Sequence, residues 1–501
     1  MKKVTVFAIA AFVMSSIGGY AQNQPQTPAP PQAQPQGQAT DNTWSLRECI
    51  DYALVNSLRV RSSQLQANAD RALAFQSKAA VLPTINASGN YAFNTGRTLD
   101  PTTQRFVDTT IQTSRLGLNG SLLLFQGGQQ LRTIQQSQTT AKASHYDFEQ
   151  ARITASLNVA QNYLLVLNGR ELVEAARLQV EVSRQQADRT ERLVTAGSLA
   201  QTDLLTLKAT LANDQLALTT AENNLRTAKL NLMQAMNLPA QPDFDVESIQ
   251  LQEPTINAYD VTSQQIYETA LETQFSVKSA DLRVKSSHFA VQAARGFYYP
   301  SLALNAGLNS NFSNQSQRFQ VTGETPTIDP ADIVGYVGGN SRDLVLRRPI
   351  AQQPTVTTSR YPYFDQIGDN LTSFVALGLN IPILNGWQTR TQVSRAVILQ
   401  KTTELDAQTV RVQLRQDIEL AYNEMQAAAS QYVSNKQQVE SLDLAFKAAE
   451  ARFNAGALNS TDYSIAKANL DRARANLILA KYSYYFRMKV LDFYQNKPLT
   501  F

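Results

Sequence analysis

The sequence predicts an α+β membrane protein made by internal duplication, in which each half of the 501-residue chain supplies two β-strands and long rods of α-helix. Three observations predict it. The pattern AGxLxxTD occurs at residues 196–203 and again at 455–462, an offset of 259. Two stretches without proline, 128–195 and 387–454, exceed several-fold the roughly dozen residues of an average globular helix. Four segments of about ten residues alternate apolar with polar or small side chains, the pattern of strands held between lipid and a wet lumen.

The chain opens on a segment that reads as a secretory signal peptide, residues 1–21. Lys2 and Lys3 precede an apolar run over 4–13, and Gly19 and Ala21 are the small residues of a cleavage site. Residues 22–44 are a Gln/Pro/Ala tract with little to bury, which predicts a disordered leader. Loss of the two lysines takes the formal charge from +4 to +2. So balanced a chain has no basic patch for nucleic acid. Past the signal there is no apolar run long enough for a membrane helix, so any membrane crossing must use strands.

The first repeat spans residues 45–236. A helical stretch over 46–81 stops at Pro83, strands are expected at 84–93 and 115–125, and Gly127 turns the chain into the helix 128–195. At 1.5 Å per residue that helix is a rod on the order of 100 Å long. Gly197 breaks it, and a helix over 202–236 returns. An inter-repeat linker, 237–262, separates the halves.

The second repeat, 263–494, has the same order. Helix 263–298 stops at Pro300, strands follow at 301–311 and 373–384, Gly386 turns the chain, and helices 387–454 and 461–494 flank a break at Gly456. Residues before the first strand match at an offset of 217 (Pro83 with Pro300) and those after the second at 259 (Gly127 with Gly386). The difference of 42 residues lies within 312–371, a region rich in Asn, Ser, Gly and Pro that reads as a long loop on the outer side. Residues 495–501 are a tail.

The returning helices carry a seven-residue ladder, Leu204, Leu211, Leu218, Leu225, Leu232, mirrored by Tyr463, Leu470, Leu477, Tyr484, Leu491. A sustained heptad predicts helices packed side by side. Four strands cannot close a membrane barrel, whose smallest members have eight, so the chain must oligomerise. Three copies would supply twelve strands.

Enzyme chemistry is not apparent. The sole cysteine, Cys49, offers neither an intrachain disulfide nor a cysteine metal site, and His145 and His288 stand alone in helical stretches. There is no Gly-Lys dipeptide and hence no phosphate loop. No cofactor and no metal site are expected.

The duplicated helix–Pro–strand–loop–strand–Gly–helix order, carried by Pro83/Pro300, Gly127/Gly386 and the tip motif at Gly197/Gly456, resembles the TolC family of outer-membrane factors over residues 45–495. The run Pro382-Ile383-Leu384-Asn385-Gly386 is similar to that family's strand-to-helix signature, and its counterpart 123–127 lacks the proline. The resemblance implies a homotrimer whose twelve-stranded barrel lies in outer-membrane lipid and continues as an α-helical tunnel through the periplasm of a Gram-negative bacterium. It implies docking at the tunnel tip to a periplasmic adaptor (membrane fusion protein) and an inner-membrane transporter of RND or ABC type. Carboxylates beyond the tip turns constrict such tunnels, a role that falls here on Asp203 and Asp462. A second acidic position one turn on is replaced by Thr206 and Ile465. Gly197, Leu199, Gly456 and Leu458 are the expected docking surface.

Thr202-Asp203 and Thr461-Asp462 also suit a helix start, with threonine as N-cap and the acid in the first turn. Leu199 and Leu458 could equally pack beneath their turns. Three functions fit the chain: the outer-membrane channel of a tripartite efflux system, a type I protein-secretion conduit, and a trimeric coiled-coil structural or adhesin protein.

Overall fold

The computed structural model of the chain describes residues 43–99, 104–108, 110–248, 261–321, 333–336, 344–346 and 356–497. The expected signal peptide, the leader up to residue 42, residues 249–260 of the linker, parts of the 312–371 insertion and the last four residues of the tail lie outside these.

Along the chain, β1 (Thr43–Trp44), α1 (Leu46–Asn56) and α2 (Leu58–Ala79) lead into β2 (Thr84–Asn94). A small hairpin, β3 (Arg97–Leu99) with β4 (Phe106–Asp108), precedes β5 (Ile111–Gln126), α3 (Gln129–Thr195) and the returning α4 (Gln201–Met236). The second half contains β6 (Asp245–Val246), α5 (Ser263–Thr273), α6 (Phe275–Gly296) and β7 (Ser301–Ser313). Its insertion carries β8 (Gln317–Val321), β9 (Ile333–Tyr336), β10 (Leu344–Leu346), β11 (Val356–Arg360) and α7 (Tyr363–Asp369). Then come β12 (Thr372–Asn380), α8 (Gln388–Asn454) and α9 (Ser460–Tyr494). Both α3 and α8 are unbroken over 67 residues, as their lack of proline predicts.

Four expectations need correction. The helices expected at 46–81 and 263–298 are each two helices, parted at Ser57 and at Gln274, whose ψ angles of 124° and 130° are extended. These breaks match at the 217 offset and contain neither glycine nor proline, so no local signal marks them. The short pieces α1 and α5 bury Cys49 and Ala53, and Ile266 and Ala270, in the helical unit. Strand 373–384 stops at Asn380, because Pro382 has no N–H to give the ladder. Its counterpart β5 lacks the proline and continues to Gln126 through a bulge between Leu123 and Phe125. The 312–371 region is not a plain loop: β8 pairs with β11, β9 with β10, and α7 is tied down by the wholly buried Gln366, which bonds both N–H and C=O of Ser313. Finally, Thr43–Trp44 is not part of a disordered leader. It pairs in parallel with Asp245–Val246, and Trp44 packs edge-on against Tyr52.

The chain divides into two compact units. The helical unit comprises residues up to 62 together with 150–273 and 415–501. Its main core gathers Cys49, Ala53, Val159, Tyr163, Leu167, Leu232, Met236 and Phe244. The Tyr163 hydroxyl donates to the carbonyls of Trp44 and Glu247, locking the two-residue ladder. The heptad ladder faces inward as expected: Leu204, Leu232, Tyr463, Leu470, Tyr484 and Leu491 are buried.

The second unit, residues 63–149 and 274–414, holds an antiparallel four-stranded sheet in the order β12-β7-β5-β2. Across β5 and β7, Leu118 opposes Leu308, Gly120 opposes Ala306 and Leu122 opposes Leu304; across β7 and β12, Leu304 opposes Leu377. Opposed residues share a face, so the apolar positions of all four strands form one surface.

Candidate functional site

Two places concentrate the residues singled out in the sequence: the turns that join the long helices to the returning ones, and the junctions where strand becomes helix.

At the turns, Gly197 and Gly456 have φ of +76° and +73°, the left-handed backbone that ends a helix. Both close the same hydrogen-bond motif. Gly197 N–H reaches the Val194 carbonyl and Ser198 N–H the Leu193 carbonyl; Gly456 and Ala457 do the same to Phe453 and Arg452. Leu199 and Leu458 are half-buried. Leu458 packs beneath its turn against a small core of Ala187, Leu207 and Tyr463. Arg189 of α3 donates to Asn454 of α8 at 2.7 Å, tying the two long helices together beside the turns.

The threonine caps expected at 202 and 461 are not found. The N-caps are Ala200, which has no side-chain cap bond, and Asn459, whose side chain accepts from Asp462 N–H at 2.7 Å. The helices start one residue earlier than expected, which places both threonines inside the first turn. The two aspartates have different surroundings. Asp462 is exposed and accepts from the Asn459 side-chain amide at 3.0 Å, within its own turn. Asp203 is half-buried and accepts from the Ser460 hydroxyl at 2.7 Å, bonding across from one repeat to the other.

A charged cluster not anticipated from the sequence lies further along the same helices. Lys467 of α9, with its side chain only 4% exposed, donates to Asp214 of α4 at 2.8 Å and to Asp471 at 2.7 Å. Ser183 of α3 also donates to Asp214. Burial, the largest influence, holds the Asp471 carboxyl above the usual carboxylate range against the pull of Lys467. Its repeat mate Lys208 makes an exposed pair with Glu191. The i,i+4 spacing of Lys467 and Asp471 was the one visible signal; Asp214 is 253 residues away. Nearby, burial pushes the Tyr463 hydroxyl up to about 12, and its oxygen has no hydrogen-bond partner among the described residues.

At the junctions, α2 and α6 end shortly before Pro83 and Pro300, and the strands begin at the next residue. Gly127 and Gly386 both adopt left-handed backbone, φ +55° and +59°. A side chain on Gly127 would meet the Gly296 carbonyl oxygen at 2.4 Å and Tyr299 Cβ at 2.7 Å, whereas at Gly386 the space is open. Beyond Gly386, Trp387 is also left-handed (φ +63°), with the Arg390 guanidinium 4.6 Å above its ring.

The apolar face of the sheet is exposed in the single chain, with Ile85 at 66%, Val375 at 76%, Leu377 at 64% and Leu379 at 62%. So large an apolar surface requires lipid or another protein against it. No helix among the described residues is long and apolar enough to cross a membrane.

Comparison with known proteins accords with this geometry. The family model of the outer membrane efflux protein matches residues 49–238 and 266–491. The chain is 23% identical over 452 residues to outer membrane protein TolC of Escherichia coli (strain K12), covering 88% of this chain and 80% of that one. It is 23% identical over 283 residues to the pyoverdine export outer membrane protein OpmQ of Pseudomonas aeruginosa, covering 55% and 58% of the two chains. Among solved structures, the outer membrane protein VceC of Vibrio cholerae superposes with a TM-score of 0.68 at 14% identity, over 91% of this chain and 97% of that one.

Proposed function

The chain belongs to the outer membrane efflux protein family, and from that membership we propose that it is the outer-membrane channel of a tripartite efflux system. Three copies close a twelve-stranded barrel and stack their helices into a periplasmic tunnel. The channel conducts passively; energy comes from an inner-membrane transporter of RND or ABC type, reached through a periplasmic adaptor. The observation that carries this reading is the four-stranded sheet with one exposed apolar face, on a chain whose 67-residue helices leave the same strands.

The turns at Gly197/Leu199 and Gly456/Leu458 are the docking surface for the adaptor, and the carboxylates beyond them narrow the tunnel. Asp462, exposed and bonded only within its own turn, is the stronger constriction residue. Asp203 is partly spent on Ser460 and serves more to hold the repeats together. That the relative OpmQ is a pyoverdine export outer membrane protein favours efflux over protein secretion.

Deletion of the gene tests this. Intracellular accumulation of a fluorescent efflux dye should rise severalfold and return to normal on complementation, with the set of secreted proteins unchanged. Unchanged dye efflux with loss of one secreted protein would instead identify a type I secretion conduit.

A further inference from the structure

Of β2, β5, β7 and β12 only β5 carries a charged residue, and it carries one, Arg115. The pleat fixes its direction. Its neighbour Ser114 lies on the apolar face, 3% exposed beneath α7, with its hydroxyl 3.0 Å from that of Tyr363. Successive side chains alternate, so the exposed Arg115 stands on the opposite, polar face. There it lies between Asn90 of β2 and Asn311 of β7. One step towards the helices, Gly117 lies between Ser88 and Asn309, whose side chains fold over it. A Cβ at Gly117 would meet Asn309 Oδ1 at 2.8 Å and Ser88 Oγ at 3.1 Å. Arg115, Asn90, Asn309 and Asn311 line a cavity of about 500 Å³. Among the described residues the guanidinium has no carboxylate or hydrogen-bond partner.

The repeat isolates this charge. Adding 217 to a β2 residue gives its mate in β7, and adding 259 to a β5 residue gives its mate in β12. All nine pairs of the second hairpin are images of pairs in the first. Asn90↔Arg115 becomes Gly307↔Phe374, and the Phe374 ring fills the hollow over Gly307. The two hairpins share a register but not a charge, so the sheet holds one cation per chain.

An unpaired guanidinium is costly against lipid and tolerable where water reaches it. In the barrel proposed above the polar face lines the lumen. At about 3.4 Å per residue, Arg115 stands roughly 37 Å along β5 from Gln126, towards the outer mouth. The surrounding amides and hydroxyls can orient an anion but cannot neutralise the charge. A guanidinium grips carboxylate and phosphate oxygens through two parallel hydrogen bonds. We propose that Arg115 is an oxyanion station at the outer end of the lumen, which draws carboxylate- or phosphate-bearing solutes along an otherwise uncharged wall. Three copies place three such charges at one level, at the end of the conduit opposite Asp462.

This role rests on the channel proposed above, and bilayer recording separates the two. Full-length wild type, R115K and R115Q are compared under a KCl gradient of about 0.01 to 0.1 M, where charges act over roughly 10–30 Å. Each is also combined with D462A, so that the tip charge does not set the ion preference alone. R115Q should raise the cation-to-chloride permeability ratio about twofold or more, most clearly with D462A, and R115K should leave it near the wild-type value. Inorganic pyrophosphate, added at constant ionic strength, should move the wild-type ratio to that of R115Q and leave R115Q unmoved. Equal ratios in wild type and R115Q, or an equal response of both to pyrophosphate, overturn the station while leaving the channel standing. Absence of current in the wild type and every variant overturns both.

Discussion

Gly127 and Gly386 occupy the same place in the two halves and share a left-handed backbone, but only Gly127 is hemmed in. Gly386→Ala should cost about 1–2 kcal/mol, the ordinary penalty for that conformation. Gly127→Ala adds a clash with backbone, which overpacking data put at a further 1–3 kcal/mol or so. The yield of assembled protein in the outer membrane should therefore fall markedly for Gly127→Ala and little for Gly386→Ala. The sequence marked both glycines but could not rank them, because the crowding comes from Gly296 and Tyr299, far along the chain. The caps show the same limit. Thr202 and Thr461 look like N-caps by type, yet the chain bends at Ala200 and Asn459. Only Asn459 supplies a capping oxygen, and its amide also holds Asp462 within that turn, whereas Asp203 bonds across to Ser460.

At the scale of elements, the Lys467–Asp214–Asp471 cluster joins α9 to α4, with Ser183 bringing in α3. Lys467→Met would remove the buried counter-charge that two nearly buried carboxylates share, a change that costs about 3–5 kcal/mol. Amide hydrogen exchange over residues 183–214 and 463–474 should then lose protection by roughly a hundredfold or more. Asp471→Asn removes one carboxylate and leaves Lys467 paired with Asp214, so it should loosen these helices far less. The sign follows from the raised pKa: the folded protein takes up a proton at Asp471 more readily than the unfolded chain. This group's contribution therefore favours the fold at low pH and is lost as pH rises through the folded value. The Lys467→Met effect should accordingly shrink on acidification. Element order, the long helices and six of the eight ends of the four sheet strands were legible to within two residues, since proline, glycine and period carry them; β5 begins at Ile111, four residues before the expected start, and β12 stops early at Asn380. The breaks at Ser57 and Gln274 were not, and neither were the strands of the insertion. Tertiary packing decides the former, and the latter pair only with one another.

At the scale of the whole molecule, duplication does most of the structural work. One hairpin register serves twice, one turn motif serves twice, and each copy is then modified where function is proposed. The second half has the insertion, the Trp387 junction, the exposed Asp462 and the buried Lys467; the first has the crowded Gly127 and the engaged Asp203. The exposed apolar sheet face and the two unpaired edges make a single chain an incomplete membrane protein. Closure of several copies into a conducting channel would complete it. Single-channel recording in a planar lipid bilayer tests that most directly. The purified trimer should insert and pass current in discrete steps of small, cation-preferring conductance. Asp462→Ala should enlarge those steps and weaken the cation preference more than Asp203→Ala does. Trimers that insert stably but pass no current, with or without Asp462, would contradict it.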